Sequence, residues 1–562
     1  MKRKIASTLI EREENNSRKP LIVNGVRGIG KTCIISEFGK RYAALVAVLF
    51  LLNGLVYFYY GNNTCLTDGT YVYPLDDTYI HLSIAKNVAL NNNWGVVHDK
   101  FCSTSSAPVY TLILSAVIAL FGDSAIYPLL INIFFGNCII ILLFWFFRKN
   151  WLAFSCASLF LFTPVMLHIQ ILGGMEHTLH IFLILAAFML LYKYLKNKHK
   201  KYVFLFLPVA GLLCLTRYES MFFMVPVIFV LVLHRQYKLA AATFVAGFLP
   251  VLIFGLYSIR MGGFFFPNSL LMKGDMPFSN GIFFMLKHYA EKIYRNIFPL
   301  SFLIVPIAIL SYMLIRTFIA NKQYNLQGLN IMIKKYSFVF IVFVTILLHG
   351  LFADFGWLYR YEAYLLSLLY VSFVVAAVEN IKIVKCRFKK RIPSLVSIIF
   401  LFVIFSHLTI RSALSHKIMR QAGKNVYDQQ IQMSRFLHIY HNESKVMAND
   451  IGAITYYTNI DLLDLVGLGS TSVIKYRKEG GDIKKLVTQY PYNQYHVILI
   501  YDLWLDIKRK DDYERLGWIK AGELKIENNL VCGSDAVSFY TSEPAMADEL
   551  RGNLLRFKDM VP

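Results

Sequence analysis

Charge is what this sequence is short of. Only 17% of its 562 residues are Asp, Glu, Lys or Arg, while 56% are hydrophobic; ordinary soluble domains carry roughly a quarter charged residues. That shortage excludes a string of soluble domains and fits a membrane bundle with one soluble domain attached. Clustered metal ligands are also missing. The eight cysteines form no CxxC pair, and no His-x-His or Cys/His group has metal-ligand spacing. Cys138, Cys156 and Cys214 lie inside apolar runs, where a small thiol packs. Cys65 and Cys102 share one expected exterior loop and would pair if that side is oxidising. No internal repeat or low-complexity tract is present, and the run 43–60 lacks a signal-peptide cleavage site behind 42 polar residues.

What is abundant is basic charge, and it is unevenly placed. The net charge is +23, yet residues 411–562 hold 20 Lys and Arg against 19 Asp and Glu. The excess therefore lies in 1–410, interleaved with apolar segments, which points to membrane topology and away from nucleic acid.

A span needs about 20 apolar residues. Candidates are 43–60, 125–147, 152–171, 176–195, 202–216, 219–234, 239–259, 299–319, 336–353, 360–379 and 393–410. Basic clusters at 1–42, 148–149, 193–201, 235–238, 322–335 and 382–391 all face the cytoplasm only if the short apolar run 107–121 does not cross. The expectation is an α-helical polytopic membrane protein of eleven spans with a C-terminal exterior α/β domain. Residues 1–42 form a cytoplasmic segment, 43–410 the transmembrane domain with 61–124 as its first exterior loop, and 411–562 the exterior domain. In that domain Val446–Ala448, Ile454–Tyr457 and His496–Tyr501 read as strands, and 426–440 as a helix.

This topology gathers polar groups on one face: Asp76-Asp77, Gly173-Gly174-Met175-Glu176, Arg217-Tyr218-Glu219, Pro267-Asn268-Ser269, and Trp357 to Glu362. Ionisable residues at a membrane boundary are costly unless paired or facing water, so these are candidate site residues.

Two motifs invite chemistry. Gly25-Val26-Arg27-Gly28-Ile29-Gly30-Lys31-Thr32 matches a phosphate-binding loop, with Gly25, Gly30, Lys31 and Thr32 at the signature positions. The first span begins at about residue 43, leaving no room for the acidic strand and parallel sheet of a working NTPase, so the motif reads as non-functional and no ATP is expected. Tyr73-Pro74-Leu75-Asp76-Asp77-Thr78-Tyr79-Ile80-His81 places two adjacent carboxylates beyond the first span. A carboxylate near apolar surface has a raised pKa and can take a hydroxyl proton, though an Asp before a helix is also what a plain N-cap looks like.

The acidic pair resembles that of the GT-C superfamily of polytopic glycosyltransferases that use polyprenyl-phosphate sugars, in its mannosyltransferase- and arabinofuranosyltransferase-like branch. Ser103-Thr104-Ser105-Ser106-Ala107-Pro108-Val109-Tyr110, after Trp94-Gly95, is similar to that branch's "TSPLY" segment. Gly173 to His177 resembles "GGLET", Leu215 to Glu219 "LTRPE", Phe266 to Ser269 "PNT", and Arg360-Tyr361 "RY". Asn449 to Ala453 and Asp464 to Leu468 are similar to its exterior-domain signature, so the likeness covers roughly 43–470. Tyr218 stands where the branch has Pro, and Ala107 interrupts Ser-Pro.

The resemblance implies a multi-pass enzyme of the inner or plasma membrane. It would move a hexose or pentose from a polyprenyl-phosphate donor to a hydroxyl of an envelope glycan or lipid-linked acceptor, with inversion. Asp76 matches the expected base and Asp77 is the alternate. Arg360 or Arg217 would meet the leaving phosphate, unless they are ion-pair partners of Glu362 and Glu219. His81, Glu176, Glu219, Asn268 and Tyr361 are further substrate-binding candidates, and Trp94 and Trp357 are candidates for stacking on sugar or isoprenoid. Mg2+ or Mn2+ at Asp76 stays open; His81, His177 and His180 lack the carboxylate that would complete a metal set. The alternative is a non-catalytic or transporter-like membrane protein that binds lipid-linked glycans.

Overall fold

The structure is a computed structural model and describes residues 31–273, 282–320, 326–388 and 395–560. Gly25 and Gly30 of the glycine-rich motif lie outside them; Lys31 and Thr32 open the helix Lys31–Thr64, and their side chains are likewise outside the description.

Long apolar segments coil into helices because a helix satisfies its own backbone groups where water is absent. Among the described residues, four helices are long and apolar enough to cross a membrane: Phe38–Thr64, Tyr127–Phe147, His177–Asn197 and Tyr237–Arg260. A fifth crossing is available if Phe283–Arg295 and Ile297–Tyr312, bent by 89°, act together. The expected spans 360–379 and 393–410 fall within the long helices Ala363–Phe388 and Leu395–Val426, whereas others are shorter or interrupted. The run 152–171 breaks into Trp151–Phe162 and Leu167–Leu172, with Met166 at φ +53 between them. The runs 202–216 and 219–234 form Lys200–Thr216 and Met221–Leu233, parted by the turn that carries Arg217 and Glu219. Pro108–Phe121 has 14 residues, about 21 Å at 1.5 Å per residue, short of a ~30 Å hydrocarbon core. Phe50, Phe134 and Phe204 are 62–80% exposed, an outward apolar surface that suits lipid.

The C-terminal domain holds a five-stranded sheet in the order β2-β1-β3-β5-β4. Its strands are β1 (Lys445–Ala448), β2 (Asp461–Asp464), β3 (Val497–Ile500), β4 (Ile519–Lys525) and β5 (Ala536–Thr541). The pairs β1–β2 and β1–β3 are parallel; β3–β5 and β4–β5 are antiparallel. The expected strand at Ile454–Tyr457 is instead the end of a helix, Gly452–Tyr457. Its four apolar or aromatic residues do not distinguish a buried strand from a buried helical turn. The boundary expected at 411 falls inside one helix that runs from Leu395 to Val426 and continues through a π turn into Gln432–Tyr440.

The two parts share a core. Ile80, Ile84, Trp94, Val96 and Val97 of the segment 61–124 pack in one cluster with Val446, Leu462, Val497 and Phe539 of the sheet domain. The loop is thereby fixed by the domain as well as by the bundle. Cys65 and Cys102 are both free thiols; Cys65 is exposed, whereas Cys102 is buried and directs its Sγ to the Leu468 carbonyl.

Candidate active site

Tyr73, Pro74 and Leu75 are buried and lead into the helix Asp77–Asn91. Neither acidic residue is a plain cap. Asp76 occupies the N-cap position without a side-chain capping bond, and Asp77 is the first helical residue. The Asp76 carboxylate instead crosses to the C-terminal domain, where it accepts the backbone N–H groups of Gly452 (2.5 Å) and Ala453 (2.7 Å). Burial, and then the adjacent Asp450 carboxyl, push Asp76 well above the usual carboxylate range. Asp450, itself raised by burial, accepts from Gln430 Nε2 (2.6 Å) and from the Tyr501 hydroxyl (2.8 Å). The neighbouring carboxyls disfavour ionising together, which is the cause of the upward shift of Asp76 beyond burial itself.

Asp77 faces the other way. Its Oδ2 pairs with Arg360 Nη2 at 2.7 Å, and its side chain keeps 29% exposure. Arg360 is 4% exposed. Its Nη1 meets only the thioether of Met175, its Nε has no partner among the described residues, and its charge lies 5.1 Å from the Tyr361 ring. The arginine lines a narrow cleft of about 20 Å³ together with Pro74, Met175, His177 and Leu358. A buried guanidinium with donors left over beside a cavity is a ready anion receptor.

Behind it, the helix His177–Asn197 begins at Glu176, which is wholly buried. Arg217 bridges Glu176 and Glu219 through charged hydrogen bonds and approaches His177 Nε2 at 3.3 Å. His81 Nε2 lies 3.3 Å from Glu176, and its Nδ1 contacts Thr111 and Ser105. Of the expected residues, Asp77, Glu176, Arg217, Glu219, His81, Arg360 and Tyr361 thus form linked networks around one end of the bundle. Arg217 does pair with Glu219, but Arg360 does not pair with Glu362, whose partner is Arg411 at 2.8 Å.

Three candidates do other work. Trp94 is 6% exposed with its ring 5.2 Å from Phe254, so it packs the loop against the bundle and offers no stacking face. Asn268 is fully buried and bolts two parts together: its backbone N–H donates to Ser103, and its Nδ2 donates to the carbonyls of Gly467 and Leu468. Trp357 is 49% exposed at the tip of the turn before Arg360.

A metal at Asp76 does not fit this arrangement. Both oxygens already accept backbone N–H groups, and no set of three His, Cys, Asp or Glu is grouped as ligands among the described residues. Residues that sequence reasoning gave no role are Asp450, Gln430 and Tyr501. Asp450 lay inside a quoted motif; nothing local marks Gln430 or Tyr501, which reach the pair only through folding.

Two family models match the chain. Residues 105–257 match the dolichyl-phosphate-mannose-protein mannosyltransferase model, and residues 422–540 match a domain of unknown function (DUF8728). No curated protein matches by sequence. Among solved structures, ArnT from Cupriavidus metallidurans bound to undecaprenyl phosphate aligns at 11% identity and a TM-score of 0.48, covering 90% of this chain and 98% of that one. The apo form of the same protein aligns at 12% identity and a TM-score of 0.46, with the same coverage. The mannosyltransferase match spans Glu176, Arg217 and Glu219, so residues 105–257 are similar to the polyprenyl-phosphate-dependent glycosyltransferases that the motifs resemble.

Proposed function

We propose that the protein transfers a sugar from a polyprenyl-phosphate donor to a hydroxyl of a cell-envelope glycan or glycolipid at the exterior membrane face. The observation that carries this reading is Arg360, buried beside the cleft with one carboxylate partner and donors to spare. The family match of 105–257 supports the reaction class, and undecaprenyl phosphate is the natural first donor lipid to try.

In this reading the donor's phosphate takes the remaining Arg360 donors and draws its charge partly away from Asp77. Asp77 then accepts the proton of the acceptor hydroxyl. The oxygen attacks the anomeric carbon in line, a new glycosidic bond forms, and the old bond to phosphate breaks, releasing lipid phosphate with inverted configuration. Asp76 moves from expected base to anchor, because its oxygens are occupied by the exterior domain. Glu176, with Arg217 and His81, supplies a fixed polar wall for sugar hydroxyls. The proposal keeps the N-terminus cytoplasmic, the sheet domain exterior and eleven crossings, with the shorter helices crossing inside the bundle.

Mass profiling of surface glycans tests it in cells carrying wild type, Asp77→Asn or Arg360→Ala. Loss of one pentose or hexose in both variants is expected. Unchanged glycans in a cell lacking the gene would instead favour a protein that binds lipid-linked glycans without transferring them.

A further inference from the structure

Arg360 follows an unusual turn. Gly356, Trp357, Leu358 and Tyr359 all have positive φ, at 83°, 43°, 54° and 63°. L-residues visit left-handed backbone singly, because the Cβ crowds the following carbonyl oxygen, so three bulky residues in a row must be held there. The holding contacts converge on one ion pair. Glu362 Oε2 accepts the Gly356 N–H at 2.8 Å, at the start of the turn. Glu362 Oε1 meets Arg411 Nη2 at 2.8 Å, with both side chains fully buried. The Arg411 guanidinium also lies 4.9 Å from the ring of Tyr359, at the end of the turn, and 4.5 Å from that of Phe302. Gln170 closes the far side by donating to the Tyr359 carbonyl at 3.0 Å. Arg411 thus touches both ends of the turn, one directly and one through Glu362.

We propose that Arg411 is a positioning residue: its buried pair with Glu362 holds the left-handed turn 356–359 and so aims Arg360 into the cleft. The proposal rests on the reading of Arg360 as the group that meets donor phosphate. Arg411 lies on the helix that continues into the exterior domain, so the same helix that carries the domain also sets the phosphate-binding arginine. A buried charge held by one carboxylate and two rings is poor value as packing; its use is in fixing one conformation.

The test uses the full-length protein in detergent micelles with undecaprenyl phosphate as probe. In Arg411→Met, amide exchange across 356–362 is expected to rise about tenfold or more while exchange in β3 is unchanged. Probe affinity is expected to fall about tenfold, because only a fraction of molecules then present Arg360 correctly. Adding Leu358→Gly, which tolerates left-handed backbone, should recover most of both losses. Unchanged exchange across 356–362, or no recovery on adding the glycine, would overturn the proposal. Should Arg411→Met fail to fold, Arg411→Lys keeps the charge without the planar fork. It should show a smaller loss, about threefold, with the same recovery, and no recovery there overturns the proposal equally. The exchange measurement needs no ligand, which separates the two ideas. Arg360→Ala binding the probe as well as wild type would sink the phosphate reading, while the exchange result still decides the role of Arg411.

Discussion

Successive helical residues leave the axis about 100° apart. At Asp76 and Asp77 that divergence sends one carboxylate into the C-terminal domain and the other to Arg360. The roles can be told apart by amide substitution. Asp77→Asn should lower the transfer rate by about 10²–10⁴, the usual range for losing a general base, with little change in melting temperature. Asp76→Asn keeps one acceptor but strands a buried N–H, so it should cost about 1–3 kcal/mol of stability and much less activity. Transfer assays and thermal melts on both variants check this, and the opposite pattern would return the base to Asp76. The identity of the acidic pair was legible in the sequence. Which oxygen faces which partner was not, because Gly452 is 376 residues away.

At the scale of elements, the first turn of the helix Gly452–Tyr457 is where the C-terminal domain grips the acidic loop. A Cβ on Gly452 would sit 2.1 Å from the Asp76 backbone oxygen, so the two elements meet with no room between them. Gly452→Ala should push the loop away at a cost of about 1–3 kcal/mol and with a marked loss of transfer, read by thermal melting and glycan assay. The loop after β2 is a second grip. Asp464 is fully buried, accepts the N–H groups of Val466 (2.8 Å) and Gly469 (2.7 Å), and is raised by burial to about 6. A carboxyl raised in the folded state favours folding when protonated. Its contribution is therefore complete below its ordinary value of 3.8 and is lost as pH rises through about 6. Asp464→Asn should flatten the fall in stability across that window, measured as melting temperature against pH. The sequence marked both loops as one signature without showing that they clasp the membrane part. Their neighbouring run Ile454–Tyr457 was misread as a strand, since four residues are too few for periodicity to separate the two states.

For the whole molecule, the shared core joining Trp94, Val96 and Ile84 to the sheet makes loop and domain one structural unit. Trp94→Ala should cost about 3–5 kcal/mol, as removal of a large buried aromatic does, and should loosen the sheet domain; melting and limited proteolysis read this. The ends of the bundle also carry a prediction. The helix His177–Asn197 has 21 residues, about 31 Å, and so sets Lys196 a full membrane thickness from Glu176. A cysteine at Lys149 or Lys335 should be shielded from an impermeant thiol reagent in intact cells, and one at Glu479 should react. Equal labelling would refute the orientation.

Helix formation, the basic imprint of one face and the set of polar motifs on the other follow from local composition, which any stretch of chain carries with it. Hence the membrane class, the acidic motif and Arg360 could all be read before folding. Span lengths, the break at Met166, the approach of Asp450 to Asp76 and the swap of Glu362 from Arg360 to Arg411 could not. Those depend on which distant groups meet. Burial then decides which charges must find a partner, and the bundle with its docked sheet domain decides which partner is within reach.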